Sequence, residues 1–261
     1  MLSVTSDQLN LWLVTFLWPF VRMMALVGTA PVFGESAVPR TVKVAIAALL
    51  ALVITPTLAA MPAIPRVSAS GLWILIQQIL IGAAMGFSMR LVFAAVQVAG
   101  EYVGLQMGLS FASFFDPTSG GNTMVLSRLL NVLAVLIFLA LNGHLTLIRI
   151  LAESFQTLPI ADAPLARAGW FRLVSAGAQV ISDGLMLALP LIAALLSLNL
   201  AMGILNRVSP QFSIFSVGFP ITLLAGLGLL QLLTQYMGPF LEPRFGAAFE
   251  LIPQFLQGLR R

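Results

Sequence analysis

Residues 104–128 read GLQMGLSFASFFDPTSGGNTMVLSR, a stretch that is as apolar as a membrane helix yet contains residues that interrupt helices. Asp116-Pro117 and Gly120-Gly121 favour turns. Non-helical backbone at membrane depth occurs only where protein surrounds it or where it lines a water-filled cavity. The sequence therefore predicts a loop or broken hairpin here, inside a pore or between packed helices.

The rest of the chain has the composition of an integral membrane protein. Of its 261 residues 59% are hydrophobic and only 8% are charged, against roughly 25% charged in soluble domains. A membrane crossing takes about 20 apolar residues. Uncharged runs of that length occupy residues 44–65, 67–89, 129–148, 184–206 and 208–241, and a sixth block, 8–34, is interrupted only by Arg22. We expect an all-α fold of about six apolar helical blocks.

The residues needed for catalysis or for metal binding are mostly missing. Cysteine is absent, which excludes disulfides and thiolate sites. No protease, esterase or phosphate-binding motif occurs, and the single histidine, His144, is expected to cap a helix or lie at an interface. The basic residues are scattered singly, so no stripe for nucleic acid exists. We therefore predict no enzyme activity, no catalytic residue, no cofactor, no metal and no nucleic-acid partner.

No linker or low-complexity tract divides the chain, so residues 1–261 are predicted to form one membrane domain. Residues 149–183 are expected to form an exposed connection with a short amphipathic helix around 170–180. The basic residues of the 35–43 loop place that loop in the cytoplasm and the N-terminus outside. Arg260 and Arg261 also favour the cytoplasm, which conflicts with six simple crossings. Either part of 67–127 re-enters the membrane, or several helices pack against protein instead of lipid, which we favour.

Glycines at four-residue spacing predict close helix contacts, because they leave backbone exposed on one helical face. Gly82 and Gly86 form one such pair, and Gly100, Gly104 and Gly108 form two more in succession. Packing within the chain and packing against another subunit are both compatible with this spacing.

Charged residues in apolar surroundings are candidates for function, because burying a charge in lipid is unfavourable. A proton or ion relay is one interpretation, and structural pairing between helices is the favoured one. The candidates for buried charges are Arg22, Arg90, Glu101, Asp183 and Arg207.

Three motifs in order resemble the FliR/SctT family of type III export-apparatus subunits. The first, RMMALVGTAPVFGESAVPRTVKVAIAALLALVITP, covers residues 22–56. The second, GEYVGLQMGLSFASFFDP, covers 100–117, and the third, LNRVSPQFSIFSVGFP, covers 205–220. The resemblance extends over nearly the whole chain.

This resemblance implies a subunit of a hetero-oligomeric export gate in the bacterial inner membrane at the flagellar basal body. The implied partners are FliP, FliQ, FlhB and FlhA, and the implied cargo is unfolded flagellar export substrates. In the family, the segment that corresponds to about residues 105–122 is a plug loop inside the channel. The plug or gate residues implied here are Met107, Phe111, Phe114, Phe115, Asp116, Pro117, Gly120 and Gly121.

Two alternatives stay open. The same family includes injectisome subunits, although the residues of the three motifs favour a flagellar protein. An independent small-solute transporter would instead use Arg22, Glu101 and Asp183 at a site near the midplane, and would be expected to have paired interrupted helices in two halves.

Overall fold

The computed structural model of the chain describes residues 6–58, 68–109, 125–209 and 218–260, with side chains from residue 15 onward. All regular structure in these ranges is helical, which confirms the all-α prediction. The elements are α1 (Ser6–Thr29), α2 (Arg40–Ile54) followed by a short 3-10 helix (Thr55–Thr57), α3 (Ala69–Gln106), α4 (Val125–Ala140), α5 (Gly143–Thr157), α6 (Arg167–Gly177), α7 (Gln179–Val208) and α8 (Phe219–Leu259).

Each predicted apolar block contains helix, but the ends of the blocks differ from those of the helices. The 67–89 block continues as α3 to Gln106, past Arg90 and Glu101. Both charged side chains are exposed, so they do not interrupt the helix. The 129–148 block is instead broken after Ala140, and Asn142 takes a left-handed φ of 55° immediately before α5.

The described helices include several that are long enough for a membrane. Helices α3 and α8 contain 38 and 41 residues, and at 1.5 Å per residue each is about 60 Å long, roughly twice a hydrocarbon core. Up to five spans result if α4 and α5 count together as one. The four ranges that qualify by length and apolarity alone are Arg40–Thr57, Ala69–Gln106, Arg167–Val208 and Phe219–Leu259. The number of crossings and the orientation stay predictions.

The chain divides into two compact units. Unit 1 comprises Met1–Leu91, Asn142–Gly177 and Gly246–Arg261, and unit 2 comprises Val92–Leu141 and Ala178–Phe245. Helices α3 and α8 each contribute residues to both units.

The core of unit 1 lies where α1 packs on the first half of α3. Trp18, Met23 and Leu26 of α1 are buried, as are Ile74 and Ile81 of α3. Helix α6 was predicted around residues 170–180 and is observed at Arg167–Gly177, where it packs on the end of α8.

The turn between α1 and α2 is strained. Val32 has a φ of 71°, which is unfavourable for a β-branched residue, and the Phe33 amide donates to Pro31 O at 2.9 Å across it. The Gly34 amide donates to Ala30 O at 2.8 Å, and Lys43 Nζ donates to Gly34 O at 2.9 Å. These hydrogen bonds hold the turn in a conformation that costs on the order of 1–3 kcal/mol.

Unit 2 has an aromatic centre. The rings of Phe93, Phe138 and Phe245 contact one another with centroids 5.3–5.7 Å apart. The three residues come from α3, α4 and α8, so their contacts hold these helices together in the unit where the interrupted segment begins and ends.

Candidate functional site

The end of α3 is where the chain leaves regular structure and enters the candidate plug. Gly108 has a φ of 81°, its amide donates to Leu105 O at 3.0 Å, and the Leu109 amide donates to Gly104 O at 3.0 Å. This pair of hydrogen bonds around a left-handed residue is the Schellman arrangement that ends a helix. The prediction that Gly108 belongs to a helical glycine face is therefore wrong, because the helix has already ended at Gln106.

The chain returns from this segment to the helix it left. A methyl group on Gly100 would lie 2.8 Å from Ser127 N and 2.9 Å from Ser127 Oγ, and closer still to Ser127 Cα. Ser127 is fully buried, and its hydroxyl donates to Gln97 O at 3.0 Å. The beginning of α4 is thus in backbone contact with α3 at Gly100, so the two helices that flank residues 110–124 meet at this contact.

Met107, the first of the predicted plug residues, is 1% exposed and lies in the core of unit 2. Its thioether fills the space beside Gly226 of α8, where a methyl group would come within 2.6–2.7 Å of Cγ, Sδ and Cε. Met107 therefore anchors the end of α3 to α8. The other predicted plug residues lie outside the described residues: Phe111, Phe114, Phe115, Asp116, Pro117, Gly120 and Gly121.

The glycine pair of unit 1 forms the close contact between α1 and α3. A methyl group on Gly82 would collide with Arg22 O and lie 2.9 Å from Ala25 Cβ. One on Gly86 would collide with Thr29 Oγ1 and lie 2.8 Å from the Ala30 amide. Both glycines are therefore used for packing within the chain. Gly104 is also buried, and its function in packing stays a prediction.

Two further close contacts involve three glycines that have no four-residue spacing to indicate them. Gly184 of α7 faces α3, with Ala95 O and Val98 Cγ1 each 2.8 Å from the position of a methyl group. Gly169 of α6 and Gly258 of α8 face each other, such that a methyl group on Gly258 would lie 2.9 Å from Gly169 Cα. A single glycine in an apolar helix gives no periodic signal, so sequence reasoning missed these contacts.

Arg22 is fully buried at the end of α5. Its Nε donates to Gln78 Oε1 at 2.7 Å, Nη1 donates to Ser154 O and Oγ at 3.1 Å, and Nη2 donates to Leu158 O at 3.1 Å. The guanidinium also lies over the Phe155 ring, 4.3 Å from its centroid. No ion pair of Arg22 occurs among the described residues.

This arrangement explains how the chain accommodates a buried cation. The last carbonyls of a helix have no partner within the helix and carry the negative end of its dipole. Arg22 reaches the C-terminal turn of α5 and the carbonyl just beyond it, so its charge is favourable there. The guanidinium joins α1, α3 and α5, which agrees with a structural contact between helices.

The other charged candidates have different surroundings. Asp183 Oδ1 lies 3.5 Å from Arg244 Nε, with both side chains partly buried, and the Arg244 guanidinium lies 3.6 Å from the centroid of the Phe240 ring. Arg90, Glu101 and Arg207 are exposed on the isolated chain. The expectation of burial is therefore not met for these three among the described residues, because no helix of the described ranges covers those positions.

The described residues contain no group of three or more acidic or histidine side chains able to hold a metal ion. His144 lies in the first turn of α5, and its Nδ1 is buried without a hydrogen-bond partner. The arrangement found in the described part of the chain is thus one of packing contacts and helix ends on either side of residues 110–124.

Comparison with known proteins gives the same family over nearly the whole chain. The family model for bacterial export proteins, family 1, matches residues 13–248. The flagellar biosynthetic protein FliR of Pectobacterium carotovorum subsp. carotovorum is 50% identical over 259 residues, and that of Escherichia coli (strain K12) is 48% identical over 259 residues, with 99% of each chain covered in both cases. FliR of Aquifex aeolicus (strain VF5) is 29% identical over 267 residues, covering 99% of this chain and 98% of the relative. The chain belongs to the bacterial export proteins of family 1, together with these flagellar biosynthetic FliR proteins.

Proposed function

We propose that this chain is a non-enzymatic subunit of the flagellar type III export gate, in which residues 105–122 form a plug that closes the channel before export begins. The gate would be built with FliP and FliQ, work with FlhB and FlhA, and pass unfolded flagellar proteins across the inner membrane at the basal body. Membership of the family of bacterial export proteins and the similarity to FliR support this proposal.

The observation that supports the plug assignment is the contact between the two helices that flank the segment. The contact between Gly100 and Ser127 brings the two ends of the segment together, and Met107 fixes the departing end in the core. A segment that is fixed at both ends can fill the channel without being displaced by an exported protein. Phe111, Phe114 and Phe115 would supply an apolar constriction, which excludes ions because hydrating it is unfavourable.

Helices α2 and α7 each have an exposed apolar face, which supports the proposal that the chain assembles with other subunits. Leu49, Leu52 and Val53 of α2 are 63–72% exposed, and Leu200 and Val208 of α7 are 68% and 75% exposed. Lipid or apolar protein must cover such faces in the membrane. Helices α3 and α8 are also much longer than a bilayer requires, which favours packing of part of their length against protein.

Co-expression tests the assembly part of this proposal. We expect this chain to form a discrete complex with FliP and FliQ that can be purified from membranes, and we expect the chain expressed alone to be poorly stable. A monodisperse, thermally stable monomer obtained alone, with no complex upon co-expression, would contradict the assignment.

A deletion within residues 110–121 tests the plug part. We expect the deletion to leave much of the complex intact and to raise the passage of ions or small solutes in cells that express the gate without a filament. Combined replacement of Phe111, Phe114 and Phe115 by Ala should have the same effect, because smaller side chains wet the constriction.

Replacement of Leu141 and Leu145 by Ala removes exposed apolar volume outside the candidate plug and outside the faces of α2 and α7 named above, and provides the control. We expect that variant to remain impermeable. Unchanged permeability in an assembled deletion variant would remove the plug assignment, whereas loss of assembly without leakage would show that the segment is a structural hairpin.

A further inference from the structure

Helix α6 is fixed to the end of α8 by its inner face. Gly169 lies against α8 so closely that a methyl group would be 2.6 Å from Phe255 O. The ring centroids of Trp170 and Phe255 are 5.2 Å apart in an edge-to-face arrangement, and the Ala166 amide donates to Leu259 O at 3.0 Å. The inner face of α6 therefore has a complete set of partners in unit 1.

The outer face of α6 has none of these contacts and is both apolar and basic. Phe171 and Val174 are 76% and 73% exposed. Arg167 is exposed as well, and its spacing of four and seven residues from Phe171 and Val174 places the three on one side of the helix.

Two more arginines lie beside this face. Arg172 is exposed and its Nη1 donates to Gln254 O at 3.0 Å, while Arg260 follows Leu259, the residue that accepts the Ala166 amide. Among the described residues Arg167, Arg172 and Arg260 form no ion pair. The surface therefore presents two apolar side chains with three cations around them.

We propose that this surface, formed by Arg167, Phe171, Arg172, Val174 and Arg260, binds the headgroup region of an anionic lipid leaflet. Phe171 and Val174 enter the boundary between headgroups and acyl chains, and the arginines contact the lipid phosphates. An exposed aromatic on a short amphipathic helix with flanking basic residues is typical of such contacts. This proposal does not depend on the chain being part of an export gate.

The position of α6 along the chain favours lipid over a soluble partner. Only Ala178 separates α6 from α7, and the uncharged run 184–206 lies within α7. Arg167 and Arg172 thus precede α7, whose 30 predominantly apolar residues are enough to cross a membrane, and amphipathic helices that lie in the membrane interface combine arginines with Phe, Trp or Leu.

The absence of cysteine from the chain allows a direct test. Phe171→Cys and Val174→Cys are each labelled with a nitroxide in the full chain, purified with its membrane partners and reconstituted in vesicles of phosphatidylglycerol and phosphatidylcholine. We expect faster collisions with oxygen, which concentrates in lipid, than with a water-soluble nickel chelate. Ala161→Cys, in the exposed connection before α6, is the matched control and should show the reverse.

Each other outcome overturns the proposal. Preferential collision with the nickel chelate at positions 171 and 174 would show a surface in water. Protection from both reagents would show a surface covered by protein. Because an α6 that has detached would also collide with the chelate, the label mobility at position 171 is measured in parallel and should be that of an ordered helix.

A second comparison tests the contribution of the charges. We expect the label at position 171 to lie deeper in vesicles that contain phosphatidylglycerol than in vesicles of phosphatidylcholine alone. Arg167→Gln combined with Arg260→Gln should abolish this difference, and both changes leave the Arg172 hydrogen bond to α8 in place. A difference that persists in the double variant would overturn the assignment of the arginines to anionic lipid.

Discussion

Two series of glycines in this chain share the same spacing but differ in what the backbone does at each position. Gly82 and Gly86 both face α1 inside a continuous helix, and each leaves space for backbone or side-chain atoms of that helix. Of the second series, Gly100 makes a comparable contact with Ser127, whereas Gly108 has a φ of 81° and ends α3.

The difference shows that four-residue spacing predicts a close contact only while the helix continues. Up to Gln106 the glycines of α3 share one side of the helix. At Gly108, two residues after the end of the helix, glycine has a different role, because it adopts a left-handed conformation without strain. In unit 1 the spacing thus serves packing. In unit 2 it serves packing at Gly100 and then a helix end at Gly108, near the start of the candidate plug.

The largest expected effect concerns Arg22, whose carbonyl faces Gly82 and whose side chain caps α5. Arg22→Met keeps an unbranched apolar stem but removes the guanidinium, which leaves Gln78 Oε1 and Leu158 O without the donor that Arg22 supplies. Ser154 O then accepts only from the Leu158 amide. We expect the folded complex to lose about 4 kcal/mol of stability, because buried acceptors without partners are strongly unfavourable. Thermal unfolding of the purified complex measures this loss.

Arg149→Met is the matched control for Arg22→Met. Arg149 is 68% exposed and forms an ion pair of 3.9 Å with Glu153 in the same helix. Removing an exposed pair of this kind should change the stability by less than about 0.5 kcal/mol. Equal stability of the two variants would contradict the cap at the end of α5.

The next effect tests the first glycine contact itself. Gly82→Ala places a methyl group against Arg22 O and 2.9 Å from Ala25 Cβ, so α1 and α3 must separate. We expect a loss of about 2–3 kcal/mol, as for other overpacked cores, and a lower yield of the complex. Gly28→Ala in α1, where no atom lies within 4 Å, should instead raise the stability by up to about 1 kcal/mol through helix propensity. Unchanged stability of the Gly82→Ala variant would show that α1 and α3 are not in close contact at this position.

A somewhat smaller loss of stability, with an added effect on permeability, is expected in unit 2. Gly100→Ala must push Ser127 away, because the methyl group would lie 2.8 Å from the Ser127 amide. We expect a loss of about 2 kcal/mol. We also expect a raised passage of small solutes, because α3 and α4 would separate where they flank the candidate plug. Gly228→Ala in α8, which has open space around it, is the control and should not leak. Destabilisation without leakage would separate the contact from any gating.

Much of this architecture could be predicted from the sequence, because apolar runs and glycine spacing reflect local rules. The extension of α3 past Arg90 could not be predicted from charge, since an exposed side chain does not end a helix. Likewise the neutral hydrogen-bond partners of Arg22 come from two separate segments, α3 and the end of α5, and their meeting depends on tertiary packing. The contact between Gly169 and Gly258 depends on two isolated glycines that only the fold brings together.

Replacing Gly108 by residues of different size tests whether it ends α3 or packs on a helical face. At a packing glycine such as Gly82, the loss of stability should rise steeply from Ala to Leu, because each added atom must displace a neighbour. At Gly108 the loss should be about 1 kcal/mol for Ala and nearly the same for Leu, because the positive φ disfavours both residues alike.

Gly108→Asn sharpens this last test, because asparagine adopts the left-handed region more easily than other residues with a side chain. We expect it to be more stable than Gly108→Ala, although Ala has the smaller side chain, and thermal unfolding of the three complexes gives the order. That order is the reverse of what a packing contact would produce. If Ala is tolerated best and Leu least, Gly108 lies on a helical face in the assembled protein, and α3 continues into the segment that we assign to the plug.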